Sequence, residues 1–258
     1  TYKSNFKLRQ IMKYFIGNWK MFGVPKSISI LNKINSFHSK DRNRNKYGVI
    51  ITPPYTLLEK FANYFKNKKI KIGSQNCYQK DYFSSNTAAI SPYMIKSVGA
   101  KYTLVGHSDN RSEGDTDLML KDKVKFALKN NLKVIFCIGE NKLQKKNNKT
   151  FSVLKKQLTK VIEKEFNKNN IIVAYEPVWS IGTGKIPNEK DLVKTTIHIK
   201  KVLKNIFKKN SPAVLYGGSV DDKNIEMFRQ IKEIDGFLIG GASKSSKKFI
   251  DIIKNYYR

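Results

Sequence analysis

The chain has 258 residues, of which 40% are hydrophobic and 12% aromatic. That composition excludes a disordered chain, and a chain of this length can fill a core without disulfides or a structural metal. Its 50 Lys and Arg residues outnumber 20 Asp and Glu residues, giving a formal net charge of +30, and polar residues interrupt every apolar stretch well short of a membrane span.

Short runs of β-branched and aromatic residues alternate along the chain with longer segments of helical period. We predict eight strands, in chain order Tyr14–Gly17, Gly48–Thr52, Ile70–Gly73, Tyr102–Gly106, Lys133–Ile138, Ile171–Tyr175, Ala213–Tyr216 and Gly236–Ile239. Between them, Leu118–Asn130 and Val153–Asn167 are predicted helices. In the first of these helices, the predicted apolar face consists of Leu118, Val124, Ala127 and Leu128, opposite Lys121, Lys125 and Lys129.

Eight strand–helix units without a linker predict an α/β fold, a single closed (β/α)8 barrel over residues 14–258. A doubly wound open sheet is the alternative, although it usually has fewer strands in a chain of this length. No dinucleotide-binding fingerprint follows the first strand, where the sequence reads Gly17-Asn18-Trp19-Lys20. The barrel is therefore the favoured architecture.

The N-terminal segment is basic and contains no acidic residue. The first 40 residues hold no Asp or Glu, and their basic residues include Lys3, Lys7, Arg9, Lys13, Lys20, Lys26 and Lys40. Acid-poor basic leaders are typical of organelle transit peptides. We predict that residues 1–13 are an extension left from a targeting leader, and that the protein resides in a plastid or similar organelle, with the cytoplasm as the alternative.

The positive charge has two interpretations. A basic face would bind nucleic acid or an anionic membrane, but here the excess is almost all Lys and is scattered along the chain. A mutational bias in composition explains such scatter better, so we expect neither nucleic acid nor a membrane as a partner. The positive charge would still attract a small anionic substrate. Cys77 and Cys137 form no CxxC pair or metal-ligand pattern and are expected to be buried free thiols.

Chemistry in a (β/α)8 barrel is built from the residues that directly follow the strands. Those positions hold Asn18, Lys20, Asn76, His107, Glu176, Gly217-Gly218-Ser219 and Gly240-Gly241. A cation, an imidazole, a carboxylate and two glycine-rich turns at one end of a barrel predict an enzyme that binds a phosphorylated substrate.

Eight motifs at these strand ends carry a resemblance to a known family. They are GNWKM (17–21), QNCY (75–78), ISP (90–92), GHS (106–108), CIGE (137–140), AYEPVWSIGTGK (174–185), YGGSV (216–220) and DGFLIGGAS (235–243). From Tyr14 to Ile253 the sequence resembles the triosephosphate isomerases. The resemblance implies a TIM barrel that interconverts dihydroxyacetone phosphate and D-glyceraldehyde 3-phosphate through an enediolate, in glycolysis and gluconeogenesis, with no metal or cofactor.

The same resemblance implies a role for each strand-end residue. Glu176 would be the base that carries the proton, and His107 would polarise the carbonyl as a neutral imidazole. Lys20 would supply a positive charge and Asn18 a hydrogen bond. The substrate phosphate would lie on backbone N–H groups of Gly182, Ser219, Gly240 and Gly241.

Residues 177–185 resemble a lid that closes over the substrate and excludes water. The lid residues singled out are Pro177, Val178, Trp179, Gly184 and Lys185. Trp179 is expected to move with the lid, with Glu140, Tyr175 and Tyr216 as candidate partners. Pro187 takes the place of a residue that could donate its backbone N–H to Tyr216, so a slightly less stable closed lid is expected.

The sequence departs from the family pattern in the third and fourth loops. Asp109 stands where the family has a Glu, so the side chain is about 1–1.5 Å shorter, and a misplacement of that order can cost roughly 10²-fold in rate. Ala89 and Asn110 replace both halves of an ion pair between subunits, while Thr87 remains to reach the neighbouring subunit's site. Because Thr87 is retained, we predict a homodimer. Because of Asp109 and the altered loops, the alternative to an active isomerase is a catalytically weakened relative that binds triose phosphate.

Overall fold

The computed structural model describes residues 12–258, and its eight strands close into one parallel barrel. The strands are β1 (Lys13–Asn18), β2 (Tyr47–Thr52), β3 (Lys71–Ser74), β4 (Tyr102–Val105), β5 (Lys133–Ile138), β6 (Ile171–Tyr175), β7 (Ala213–Tyr216) and β8 (Gly236–Ile239). Each strand pairs with the next, and β1 pairs with β8 to complete the ring. The predicted (β/α)8 barrel is confirmed, and the doubly wound alternative is wrong.

Helices follow the strands and form the outer layer of the barrel. They are α1 (Ile28–Lys40), α2 (Tyr55–Tyr64), α3 (Pro92–Ser97), α4 (Ser108–Ser112), α5 (Asp117–Lys129), α6 (Lys142–Lys146), α7 (Thr150–Val161), α8 (Glu189–Phe207) and α9 (Ser246–Tyr256). A 3₁₀ helix, Ile225–Gln230, stands between β7 and β8, and another, Gly241–Lys244, precedes α9. Among residues 12–258, no helix is long and apolar enough to cross a membrane.

The strands are buried on both faces because successive side chains point to opposite sides of the sheet. In β1, Ile16 belongs to the cluster inside the barrel, while Phe15 belongs to the layer between strands and helices. The buried members of the inner cluster are Ile16, Ile50, Leu104, Ile135, Cys137, Ile172, Ala174, Leu215 and Leu238. The barrel interior is therefore a packed apolar core, and polar groups are left to its ends.

Two details of the predicted helices are wrong. The segment predicted to be helical up to Asn167 ends instead at Val161, because Ile162 takes an extended conformation (φ −90°, ψ 125°). Leu118, predicted on the apolar face of α5, is 77% exposed. The buried face of α5 contains Leu120, Val124 and Ala127. Leu118 lies two positions before Leu120, which is about 200° around the helix, so its side chain is on the opposite, solvent-facing side.

The barrel also begins earlier than predicted. Lys13 is the first residue of β1 and pairs with Tyr47 of β2, so it belongs to the barrel and not to an extension. Lys20, Lys26 and Lys40 likewise fall in or beside β1 and α1, so much of the acid-poor stretch is part of the barrel itself. The rest of the predicted extension, residues 1–11, lies outside the described residues.

Candidate active site

A cavity of about 780 Å³ opens at the carboxyl ends of the strands. Its wall includes the predicted residues Asn18, Lys20, His107, Glu176, Gly182, Gly184, Ser219, Gly240 and Gly241. These residues come from the end of β1 and from the loops after β1, β4, β6, β7 and β8, so closure of the barrel brings together positions that are far apart in sequence. They share one cavity, whereas Asp109, which is also predicted to be catalytic, does not line it.

Glu176 directly follows β6 and is only 3% exposed. Its Oε1 lies 3.4 Å from Nε2 of His107, while its Oε2 has no hydrogen-bond partner among the described residues. Burial raises the pKa of the Glu176 carboxyl above its usual range, and the neighbouring His107 partly opposes that rise. A buried carboxylate with one free oxygen is suited to accept a proton.

The loop after β7 makes room for this carboxylate. A Cβ atom at Gly217 would lie 2.7 Å from Cγ of Glu176, which is closer than real Cβ contacts allow. Only glycine therefore fits at position 217 while the Glu176 side chain keeps its place.

His107 caps the N-terminus of α4, and this contact fixes its tautomer. Its Nδ1 accepts a hydrogen bond from the backbone N–H of Asp109 at 3.0 Å. Since a ring nitrogen that accepts a hydrogen bond carries no proton, the proton of the neutral imidazole is on Nε2, which faces Glu176 and the cavity. The side chain is 5% exposed, so the ring is held in place by its surroundings.

Lys20 reaches the cavity from the loop after β1. It has a positive φ of 54°, and the amide of Gln75 holds that backbone by donating to the Lys20 carbonyl at 2.9 Å. Its Nζ lies 3.0 Å from Oδ2 of Asp109. Asp109 does not line the cavity, but its shorter side chain still reaches the ammonium group. Asn18, 5% exposed, accepts from the backbone N–H of Lys20 through Oδ1.

The glycine-rich loops leave open space where a phosphate group can approach the backbone. A Cβ atom at Gly182, Gly240 or Gly241 would meet no described atom within 4 Å. Lys223 and Lys248 also line the cavity and add positive charge at this end. Bare backbone beside ammonium groups is suited to a dianion.

The lid lies against the loop after β7. The N–H of Gly184 donates to Oγ of Ser219 at 3.1 Å, and that hydroxyl donates to the carbonyl of Ser180 at 2.7 Å. Trp179 donates from Nε1 to Oε1 of Glu140 at 2.9 Å, which is one of the three partners expected for it. Among the other predicted lid residues, Pro177 is buried, whereas Val178 and Lys185 are exposed and do not line the cavity.

Thr87 lies outside the cavity, in the exposed loop after β3. Asn76, another strand-end position, faces away from the cavity and accepts from Nζ of the buried Lys123 at 3.2 Å. Both cysteines are buried free thiols, as expected. No group of three or more His, Cys, Asp or Glu side chains within residues 12–258 has the arrangement of a metal site.

Three positioning residues were not identified from the sequence. Gln75 lies in the QNCY motif, but its role depends on contacts with two other loops. Arg111 donates from Nε to the Gly106 carbonyl at 2.8 Å and from Nη2 to the Cys137 carbonyl at 3.1 Å, tying loop four to the barrel. Ser180, within the lid motif, is fully buried.

Comparisons with known proteins agree with this geometry. The family model described as Triosephosphate isomerase matches residues 13–256. The chain is 38% identical over 248 residues to the triosephosphate isomerase of Debaryomyces hansenii, covering 94% of this chain and 98% of that protein. It is 34% identical over 246 residues to that of Thermodesulfovibrio yellowstonii, with the same coverage. The crystal structure of triosephosphate isomerase from Bartonella henselae superposes with a TM-score of 0.87 at 31% identity, covering 96% of this chain and 100% of that one.

Proposed function

The chain belongs to the triosephosphate isomerase family, and we propose that its cavity interconverts dihydroxyacetone phosphate and D-glyceraldehyde 3-phosphate by proton transfer through an enediolate. The observation that carries this proposal is the pairing of Glu176 Oε1 with His107 Nε2 at 3.4 Å beside the ammonium group of Lys20. A base, a hydrogen-bond donor and a cation around one cavity are the groups that this reaction needs.

The proton transfer is assigned to Glu176. Its carboxylate removes a proton from the substrate carbon next to the carbonyl and returns it to the adjacent carbon. Because burial raises the pKa of this carboxyl, its carboxylate is a stronger base than an exposed one. His107 donates from Nε2–H to the substrate oxygen on which negative charge develops. The proton of the neighbouring substrate hydroxyl moves to that oxygen, so that the carbonyl and the hydroxyl exchange places.

Substrate binding is assigned to the cation and to the backbone of the glycine-rich loops. Lys20 neutralises part of the substrate charge, and Asn18 holds the backbone from which Lys20 extends. Gly182, Ser219, Gly240 and Gly241 offer backbone N–H groups to the phosphate. The lid then covers the site and keeps water from the reactive enediolate.

A coupled isomerase assay on the purified protein tests this function. The wild type is expected to turn over, and Glu176→Gln is expected to lose about 10²–10⁴-fold in kcat, the range of general-base catalysis. Glu163→Gln is the matched control, because Glu163 is a partly exposed carboxylate paired with Lys121 far from the cavity. A folded wild type with no turnover would refute the proposal.

The alternative of a weakened relative rests on Asp109. The 3.0 Å contact between Asp109 and Lys20 speaks against misalignment by the missing methylene. In the same assay, Asp109→Glu distinguishes a weakened relative from an active isomerase. A misaligned site would gain activity from the longer side chain, whereas an aligned site would not.

We also propose that the protein is a homodimer. The support is the exposed apolar surface on the loops after β1 and β3, where Met21 is 98%, Phe83 67% and Tyr82 49% exposed. Thr87 lies in the same exposed loop after β3. In light scattering at micromolar concentration, the wild type is expected to have the mass of a dimer, and Phe83→Lys a mass shifted towards the monomer. Ile197→Lys, at a 50% exposed position on α8, is the control, and a monomeric wild type contradicts the proposal.

We also propose that the protein resides in a plastid or similar organelle, with the cytoplasm as the alternative. The only support for this proposal is the acid-poor composition of the N-terminal segment. Detection of the protein with an antibody in plastid and cytosolic fractions of plastid-bearing cells that make it tests this proposal. Recovery in the cytosolic fraction alone would contradict it.

A further inference from the structure

A serine hydroxyl lies fully buried beneath the lid and connects it to the barrel. Ser180 is 0% exposed, and its Oγ lies 2.5 Å from the carbonyl oxygen of Lys185, at the other end of the lid. The same Oγ lies 3.0 Å from the hydroxyl oxygen of Tyr216, the last residue of β7, and 3.4 Å from the backbone nitrogen of Ser219. One side chain thus touches both ends of the lid and the strand beneath it.

The direction of each hydrogen bond follows from the number of protons. A serine hydroxyl has one proton, and a carbonyl can only accept, so the Ser180 proton goes to the Lys185 carbonyl. Tyr216 must then donate its own proton to Ser180. Burial raises the pKa of Tyr216 to about 12, so its hydroxyl keeps that proton in neutral solution.

The backbone of the loop after β7 packs directly against these two hydroxyls. A Cβ atom at Gly218 would lie 2.2 Å from the Tyr216 hydroxyl and 2.6 Å from the Ser180 hydroxyl, so only glycine fits there. At the end of the lid, Pro187 is buried and has no backbone N–H to offer to Tyr216. Tyr216 therefore receives no hydrogen bond from position 187, and the polar side chain that it contacts is Ser180.

We propose that Ser180 is a positioning residue that latches the lid over the bound phosphate, through a relay from Tyr216 to Ser180 to the Lys185 carbonyl. The proposal rests on the proposed function, because the lid matters only if a phosphorylated substrate binds beneath it. The latch acts on Gly182 and Gly184, which lie between its two attachment points. Its loss lets the lid open more often and weakens binding of any ligand that the lid covers.

The test measures ligand affinity and turnover separately. The probe is 2-phosphoglycolate, which combines a phosphate with a planar carboxylate resembling the enediolate, and its affinity is measured by calorimetry without turnover. Ser180→Ala removes the relay and leaves the Tyr216 hydroxyl and the Lys185 carbonyl without their partner. The variant is expected to bind the probe about 10-fold more weakly and to lose about 10-fold in kcat/KM. Ser152→Ala, at an exposed hydroxyl on α7, is the control.

A double-mutant cycle with Tyr216→Phe distinguishes a latch from a general structural role. Because both side chains form one relay, the double variant is expected to lose little more affinity than Ser180→Ala alone. Additive losses, or affinity of Ser180→Ala within about twofold of the wild type, overturn the latch. Failure of the proposed function gives a different result, namely a wild type that is folded but does not turn over.

Discussion

Replacing Glu176 by Gln should lower kcat about 10²–10⁴-fold and at the same time stabilise the fold. The carboxylate is 3% exposed, its Oε2 has no hydrogen-bond partner among residues 12–258, and burial raises its pKa. A carboxyl whose pKa is higher in the folded state than its unfolded value of about 4.3 binds protons more tightly when folded. Its ionisation therefore lowers the free energy of unfolding as pH rises through the interval between those two pKa values.

The size of the effect follows from the cost of a buried unpaired polar group, about 1–3 kcal/mol. Since 1 kcal/mol shifts the melting temperature of a domain of this size by about 2–4 °C, Glu176→Gln should melt roughly 2–12 °C higher at pH 8. At pH 4, which is below the unfolded pKa, the carboxyl is mostly protonated in both the folded and the unfolded state, and the difference in melting temperature should shrink.

The assay is thermal unfolding of wild type and variant from pH 4 to pH 8 at a fixed protein concentration. Glu140→Gln is the matched control, because Glu140 is equally buried but accepts hydrogen bonds from Trp179 and from the Tyr175 hydroxyl. An amide group facing those donors should destabilise the fold. A variant at position 176 that melts no higher than the wild type at pH 8, or whose gain is the same at every pH, would refute the reasoning.

Three further substitutions test the geometry around the site. Gly217→Ala places a Cβ 2.7 Å from Cγ of Glu176 and should lower kcat about 10²-fold in steady-state kinetics, whereas unchanged kcat would mean that the carboxylate tolerates displacement. Lys123→Met leaves the carboxylate of Asp115, 2.6 Å from Nζ, buried and unpaired, and should cost about 3–5 kcal/mol in urea unfolding; a loss below about 1 kcal/mol contradicts this. Asp109→Glu should keep kcat/KM within about fivefold of wild type, because the existing salt bridge is made at 3.0 Å and is partly exposed, and a larger gain would indicate misalignment.

The strands were predictable because parallel strands buried on both faces are short and almost wholly apolar. β5, β6, β7 and β8 have the predicted bounds, since each is a short run made up mostly of apolar residues. Helix phase was harder to predict from composition. In α5 the apolar Leu118 is exposed and the charged Lys123 is buried. The reason is that packing against the barrel decides which face of the helix points inward.

The site was predictable to the extent that topology determines it. Once eight strands form a barrel, the residues after each strand must converge, which is how His107 and Glu176 come to lie 3.4 Å apart. The contacts that position the loops around these two residues are not visible in sequence, because they join segments without a fixed spacing. Gln75 reaches Lys20 across 55 positions, and Ser180 reaches Tyr216 across 36.

Composition is a poor guide to the electrostatics of this site, as Glu176 illustrates. A net charge of +30 favours ionised carboxylates, yet most of that charge is spread over a solvated surface. Salt screens such charges beyond about 10 Å at 0.1 M ionic strength, whereas the loss of hydration is felt at the carboxylate itself. Desolvation therefore outweighs the favourable contributions of His107 and Lys20, and the pKa of Glu176 rises. The proton affinity of Glu176 is therefore set by its burial after β6, and the same burial would raise the pKa of this carboxyl in a chain of any net charge.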